Sequence, residues 1–228
     1  MKDIYVYENT NVLKNKLDIR DSKRLEELEN ALVSLNIVNL ISNPFIIKSV
    51  FDIKKIHKIL FSDLYEWAGD NRKINMYKEE PLLDGLSVIY SDYKSIDNDL
   101  NKLDSAFTNI KWNKLTHKEI IDTIVVIISR LWKIHTFREG NTRSTTTFLY
   151  MFMKQIKLRV NIDFIGEHAK YFRNALVMAS IDQYSEYEHL TEILLDSIST
   201  KIAKTGKYKT IREYEVDKYE YRSHKYKD

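Results

Sequence analysis

No cysteine occurs anywhere in the 228 residues, so neither a disulfide framework nor a thiolate zinc site is open to this chain, and a reducing compartment suits it. Proline is nearly as scarce, with 2, and glycine is held to 5. A chain so thinly punctuated has few places to turn tightly, which favours long helices over many short strands. Also missing is any apolar run near the roughly 18 residues a membrane span needs. The opening MKDIYVYENTNVLKNKLDIRD is charged throughout and lacks a signal-peptide core, so a cytoplasmic protein with no membrane partner is expected. Net charge of one sign is absent as well. The 36 Lys+Arg against 33 Asp+Glu leave a formal +3, and nucleic-acid binding cannot be argued from that.

What is present is 43% hydrophobic content, enough for one sizeable core. The apolar residues recur at helical spacing, which predicts an all-α fold. Asp21 can cap a helix with Leu25, Leu28, Leu32 and Leu35 as its apolar stripe. Ile53, Ile56, Leu60, Leu64 and Trp67 form another stripe before WAGDNR. Between Lys73 and Tyr90 the pattern changes: KINMYKEEPLLDGLSVIY places β-prone residues on both sides of a Pro81…Gly85 turn, a hairpin-like excursion. Thr116 and Glu119 read as a capping box for IIDTIVVIISRLWKIH, apolar on nearly every side and therefore central. Ser185 and Glu188 suggest a second box ahead of HLTEILLDSI. Trp67, Trp112 and Trp132 are expected in the core, and His57 and His117 are expected to be solvated or satisfied on helix faces. From about Thr200 the composition turns to Lys and Tyr, a basic tail over 201–228.

The stretch that carries chemistry is HTFREGNTR, His135 to Arg143, joining the apolar helix to one that begins near Asn141. A helix N-terminus offers unpaired amides and the positive end of a dipole to an anion. Gly140 lets backbone approach a phosphate, and Arg143 can pair with its oxygens through two hydrogen bonds. Glu139 is a hard oxygen ligand of the kind Mg²⁺ uses together with substrate phosphates. His135 has the proton affinity to act as base toward an attacking hydroxyl. Phe137 is expected to point inward and anchor the loop.

HTFREGNTR resembles the signature of the Fic domain family, H-x-F-x-[D/E]-G-N-G-R-x-x-R. His135, Phe137, Glu139, Gly140, Asn141 and Arg143 match. IHKILFSDLYEWAGDNRKIN resembles the family's lead into its target-docking hairpin, the flap, and the N-terminal stretch resembles Fic proteins of the bacterial toxin type. The likeness covers most of residues 4 to 200, so a Fic domain with an N-terminal helical extension is expected over 1–200. It implies an all-α core with a small β-hairpin flap beside the active loop. The implied activity is adenylylation: AMP passes from ATP, the co-substrate, to a Ser, Thr or Tyr hydroxyl of a target protein.

By the same resemblance His135 is the base and Glu139 the Mg²⁺ ligand. Phe137, Gly140, Asn141, Thr142 and Arg143 form the nucleotide site. Lys73, Ile74, Asn75, Met76 and Tyr77 belong to the flap, which would align the target by strand addition. The chain departs from the signature at Thr136 for Pro, Thr142 for the second glycine, and Thr146 for the last arginine, which in the family contacts the γ-phosphate. Thr142 would make the phosphate side bulkier, and Thr146 leaves open another nucleotide donor or a catalytically weak binding module. Doc-like kinase and phosphocholine-transferase variants carry DAN where this chain has EGN, which disfavours both. The inhibitory glutamate pattern [S/T]-x-x-x-E-[G/N] has no full match, Ser22 to Glu26 coming nearest, so restraint by a small antitoxin subunit is expected, in a cytoplasmic toxin or a secreted effector.

Overall fold

The computed structural model describes residues 3–199; the Lys/Tyr-rich tail lies outside the described residues. The described chain is helical: α1 Ser22–Ser42, α2 Asp52–Phe61, α3 Ile96–Asn109, α4 His117–Ile134, α5 Asn141–Gln155, α6 Ile162–Glu167, α7 Ala169–Met178 and α8 Glu188–Ile198. As its all-round apolarity demands, α4 is central and packs against α3, α5, α7 and α8. Ile121, Ile124 and Ile128 are fully buried in it. The Thr116–Glu119 capping box forms at its start, and Asp21 caps α1 by accepting from the Arg24 amide at 2.7 Å. No helix among the described residues is long and apolar enough to cross a membrane.

Three expectations are corrected. On α1 the inward face is Leu25, Glu29, Val33 and Leu40, which leaves Leu35 57% exposed. The helix is turned this way because Glu29 is drawn inward by hydrogen bonds from Tyr65 and Arg143. The Ser185 capping box does not form. Asp182–Tyr184 makes a 3₁₀ turn that takes up the Ser185 amide, so α8 starts behind Tyr187 with no side-chain cap.

The third correction concerns the flap. Residues 73–90 do double back around Pro81–Leu83, with Asp84 and Gly85 both at positive φ, but no strand forms among the described residues. Ile74, Met76, Val88 and Tyr90 are buried in the core. Side chains hold the arms together: the Lys78 amide donates to Ser87 Oγ at 3.1 Å and the Tyr93 amide to Asn75 Oδ1 at 2.9 Å. At the tip, Arg173 of α7 grips the buried Glu80 carboxylate with two bonds of 2.7 Å.

Candidate active site

The loop between α4 and α5 is shaped by two residues in the left-handed region. His135 closes α4 at φ 52°, and Gly140 opens α5 at φ 78°. Between them Asn141 reaches back over the loop: its Oδ1 accepts from the Phe137 amide at 2.9 Å and its Nδ2 donates to the Phe137 carbonyl at 2.8 Å. Phe137 is fully buried, as its alternation with polar neighbours predicts. Its ring stacks on His57, 3.7 Å between centroids.

His57 proves to be satisfied and not solvated. Its Nδ1 accepts from the Gly69 amide at 2.8 Å, which leaves Nε2–H to donate to the Glu139 carbonyl at 3.0 Å. Burial pushes its pKa down to about 3, so it holds the loop as a neutral ring. Gly140 has a reason the sequence did not reveal: a Cβ there would overlap the Phe61 ring edge, and its φ disfavours any side chain.

His135 is 2% exposed, with its imidazole stacked 3.9 Å from the Tyr90 ring and edge-on to Trp132. Neither ring nitrogen has a hydrogen-bond partner. Burial first, then the charges of Lys78 and Arg72, holds its pKa well below the ordinary histidine value. It is a buried, neutral imidazole with free proton-accepting capacity, stacked under Tyr90 of the flap.

Glu139 keeps about a third of its side chain exposed (33%), with Arg143 at 3.8 Å and Lys78 at 3.9 Å. Burial alone would raise its pKa, but Lys78, the Gly140 amide and Arg143 outweigh that and hold it below the usual value. It is an ionised carboxylate. No cluster of three or more metal-binding side chains exists among the described residues, so a cation here would rest on this one carboxylate plus ligands brought by a substrate.

Arg143 donates one terminal nitrogen to Glu29, while the other is buried without a partner. Its guanidinium lies 4.9 Å over Phe61. Gly140 offers α5 no side-chain cap, and Glu139 accepts from the Gly140 amide at 2.9 Å, so the positive dipole end of α5 lies at Glu139 and Arg143. Thr142 does not crowd that space, since its hydroxyl is turned to accept from Trp132 Nε1 at 2.9 Å. Thr146, where the signature has arginine, donates to the Thr142 carbonyl of its own helix at 2.9 Å. A cleft of about 330 Å³ opens on this side, with Asn11, Leu25, Glu29, Tyr65, Glu139 and Arg143 on its walls.

The structure therefore brings Glu139 and Arg143 to one cleft and sets His135 under the flap. Of the flap residues, Ile74 and Met76 point into the core, and Lys73 spends its amide on the Tyr5 hydroxyl at 3.0 Å. Asn75 and Tyr77 are engaged with the return arm through Asp92 at 2.9 Å and the Gly85 carbonyl at 3.3 Å. Sequence reasoning missed Glu29, although Glu29-Asn30 fits the last two places of the inhibitory pattern, with Leu25 in place of its Ser/Thr. It also missed Arg72 and Tyr90, for which no local signal exists.

The sequence model of the Fic/DOC family matches residues 49–153. Among curated proteins, the chain is 28% identical to the protein adenylyltransferase VbhT of Bartonella schoenbuchensis over 85% of its own length and 38% of that protein's. It is 24% identical to the probable protein adenylyltransferase Fic of Escherichia coli K12, over 44% of this chain and 50% of that one. The chain thus spans half or less of each of these two relatives. Among solved structures, the N-terminal FIC domain of the effector Bep8 from Bartonella sp. 1-1C superposes with a TM-score of 0.74 at 23% identity, covering 86% of this chain and 94% of that one. BepC from Bartonella tribocorum, solved with AMPPNP bound, gives 0.73 at 24% identity over 86% and 97%. These likenesses establish the fold.

Proposed function

Given that this chain is a member of the Fic/DOC family, we propose that it is a protein adenylyltransferase, moving AMP from ATP to a Ser, Thr or Tyr hydroxyl of a target protein and releasing pyrophosphate. The observation that carries this reading is His135, a buried neutral imidazole with both nitrogens unpartnered, at one end of a short loop whose other end sets Glu139 and Arg143 about the N-terminus of α5. The name of VbhT and the ATP analogue held by BepC support the same activity.

In this reading His135 takes the proton from the target hydroxyl as its oxygen attacks the α-phosphorus. The bond to pyrophosphate breaks on the opposite side. Arg143 and the amides at Asn141 and Thr142 hold phosphate oxygens, while Gly140 and Phe137 keep the loop in shape. Glu139 is the residue that would hold Mg²⁺, which when bound neutralises charge on the phosphates. Positioning and charge neutralisation supply most of the rate, with general-base catalysis adding ~10²–10⁴-fold.

The flap would lay its Asn75 to Tyr77 backbone beside the target as an added strand, with Lys73 and Ile74 at its root. Pairing would start beyond Lys73, whose amide Tyr5 holds. The protein would act as a bacterial toxin or translocated effector. A small antitoxin subunit is one restraint on it; the Glu29–Arg143 pair supports a second, within the chain.

A second reading, a different nucleotide donor, rests on Thr146, which offers a γ-phosphate no cation. The test of both is to incubate the chain and its His135→Ala variant with Mg²⁺, a cell lysate and a panel of α-³²P-labelled nucleotides. Labelling of protein bands by ATP that vanishes in the variant is expected. Labelling by another nucleotide alone moves the assignment to that donor, and no labelling from any nucleotide, by the wild type or by Glu29→Gly, removes the transferase reading.

A further inference from the structure

Arg72 is 1% exposed, among the most deeply buried side chains of the fold, and it sits in neither the cleft nor the signature loop. Burying a guanidinium is strongly unfavourable unless its donors are satisfied, so their destination is informative. Nε donates to the His135 carbonyl at 2.7 Å, and Nη2 leans toward the Ile134 carbonyl at 3.5 Å. The Arg72 amide donates to the Thr136 carbonyl at 2.8 Å. Three consecutive carbonyls around the base thus converge on one residue, at the negative end of α4 where a cation is favoured. The remaining donors go the other way. Nη1 bonds the Ile74 carbonyl on the outgoing arm of the flap at 2.6 Å, and Nη2 bonds the Ser91 carbonyl just past the returning arm.

His135 needs such a hold. A non-glycine residue in the left-handed region, as His135 is at φ 52°, is strained and keeps that conformation only where its surroundings impose it. The flap supplies the stacking partner as well, since Tyr90, one residue before Ser91, lies against the imidazole. Arg72 therefore fixes both the backbone from which the imidazole projects and the arm that carries the ring pressed on it.

We infer that Arg72 is a positioning residue for the transfer step: its fork locks both arms of the flap to the backbone of His135, so that the surface receiving the target and the base that deprotonates it move as one unit. This rests on the adenylyl-transfer reading. Lysine could replace the charge but not the fork, because one compact ammonium cannot span carbonyls on the base loop and on both flap arms.

The test compares the wild type with Arg72→Lys and Arg72→Gln. It measures kcat and the nucleotide KM for labelling of the same lysate band, thermal unfolding, and the ¹⁵N signals of the His135 ring, assigned by loss in His135→Gln. The expected result for a variant folded at the assay temperature is a roughly 100-fold fall in kcat, the scale of a 1 Å misplacement, with nucleotide KM within about twofold. The His135 ring signals should shift or broaden. Wild-type kcat in a folded variant overturns the inference, and so does a loss of kcat with unmoved ring signals. If both variants unfold, the wild type decides: the Arg72 Nε–H must exchange slowly with solvent and respond together with the His135 ring to AMPPNP, and independent responses overturn the coupling. If neither the wild type nor Glu29→Gly transfers label, the functional reading fails, and unmoved ring signals in the variants would still refute the link to His135.

Discussion

Replacing Gly140 by alanine adds one methyl group at the point where α5 begins, and two separate costs can be worked from the structure. The backbone there has φ 78°, a conformation that costs an L residue roughly 1–2 kcal/mol. The new Cβ would also overlap Cζ and Cε2 of Phe61, a fully buried ring. That ring cannot swing away freely. His57 stacks on it at 4.6 Å and in turn lies 3.7 Å from Phe137, while Arg143 sits 4.9 Å from its centroid. Overpacking of such a site costs about 1–3 kcal/mol, so Gly140→Ala should lose about 2–5 kcal/mol in all. Urea unfolding followed by tryptophan fluorescence measures it. A double-mutant cycle with Phe61→Leu separates the parts, because the smaller side chain relieves the overlap and leaves the backbone cost. Coupling of about 1–3 kcal/mol is expected between the two sites. A loss below about 0.5 kcal/mol for Gly140→Ala, or no coupling to Phe61, would refute the argument that this glycine is fixed by the ring beneath it.

Other outcomes follow from the charged groups. His57, pushed down to about 3, and His135, also far below its unfolded value, stay neutral in the fold but gain protons when unfolded below a pH of about 6.5. Their contribution is complete above that pH and is lost on acidification. His57 should cost about 2 kcal/mol between pH 7 and 5, with His135 acting in the same direction; urea midpoints that stay flat over this range would contradict the buried neutral assignment. Glu29→Gly frees Arg143 for phosphate and should tighten AMPPNP binding and raise the labelling rate severalfold. Unchanged or weaker binding by calorimetry would show that Glu29 is no restraint.

The loop was legible in the sequence because its determinants are local. Asn141 closes it onto Phe137 four residues back, Gly140 provides the left-handed turn, and the apolar density of α4 made that helix central. What could not be read depends on distant partners. Glu29 meets Arg143 across 114 positions in sequence, and its inward turn rotated α1 enough to expose Leu35. The flap sequence carries strand propensity, yet burial of Ile74, Met76, Val88 and Tyr90 against the core decided its path, and side-chain bonds stand where a ladder was expected. Arg72 looks like any charged residue after a turn until three carbonyls of the base loop are found around it.

The central claim is that the α-phosphate of a nucleotide is transferred through His135. It is tested most directly by presenting ATP labelled at the α or the γ phosphorus, in parallel, to wild-type chain and to His135→Ala, with Mg²⁺ and lysate. The account predicts protein-bound label from the α position only, released pyrophosphate in equal amount, and neither product with the variant. Label arriving from the γ position, or α-label that persists without His135, would contradict it.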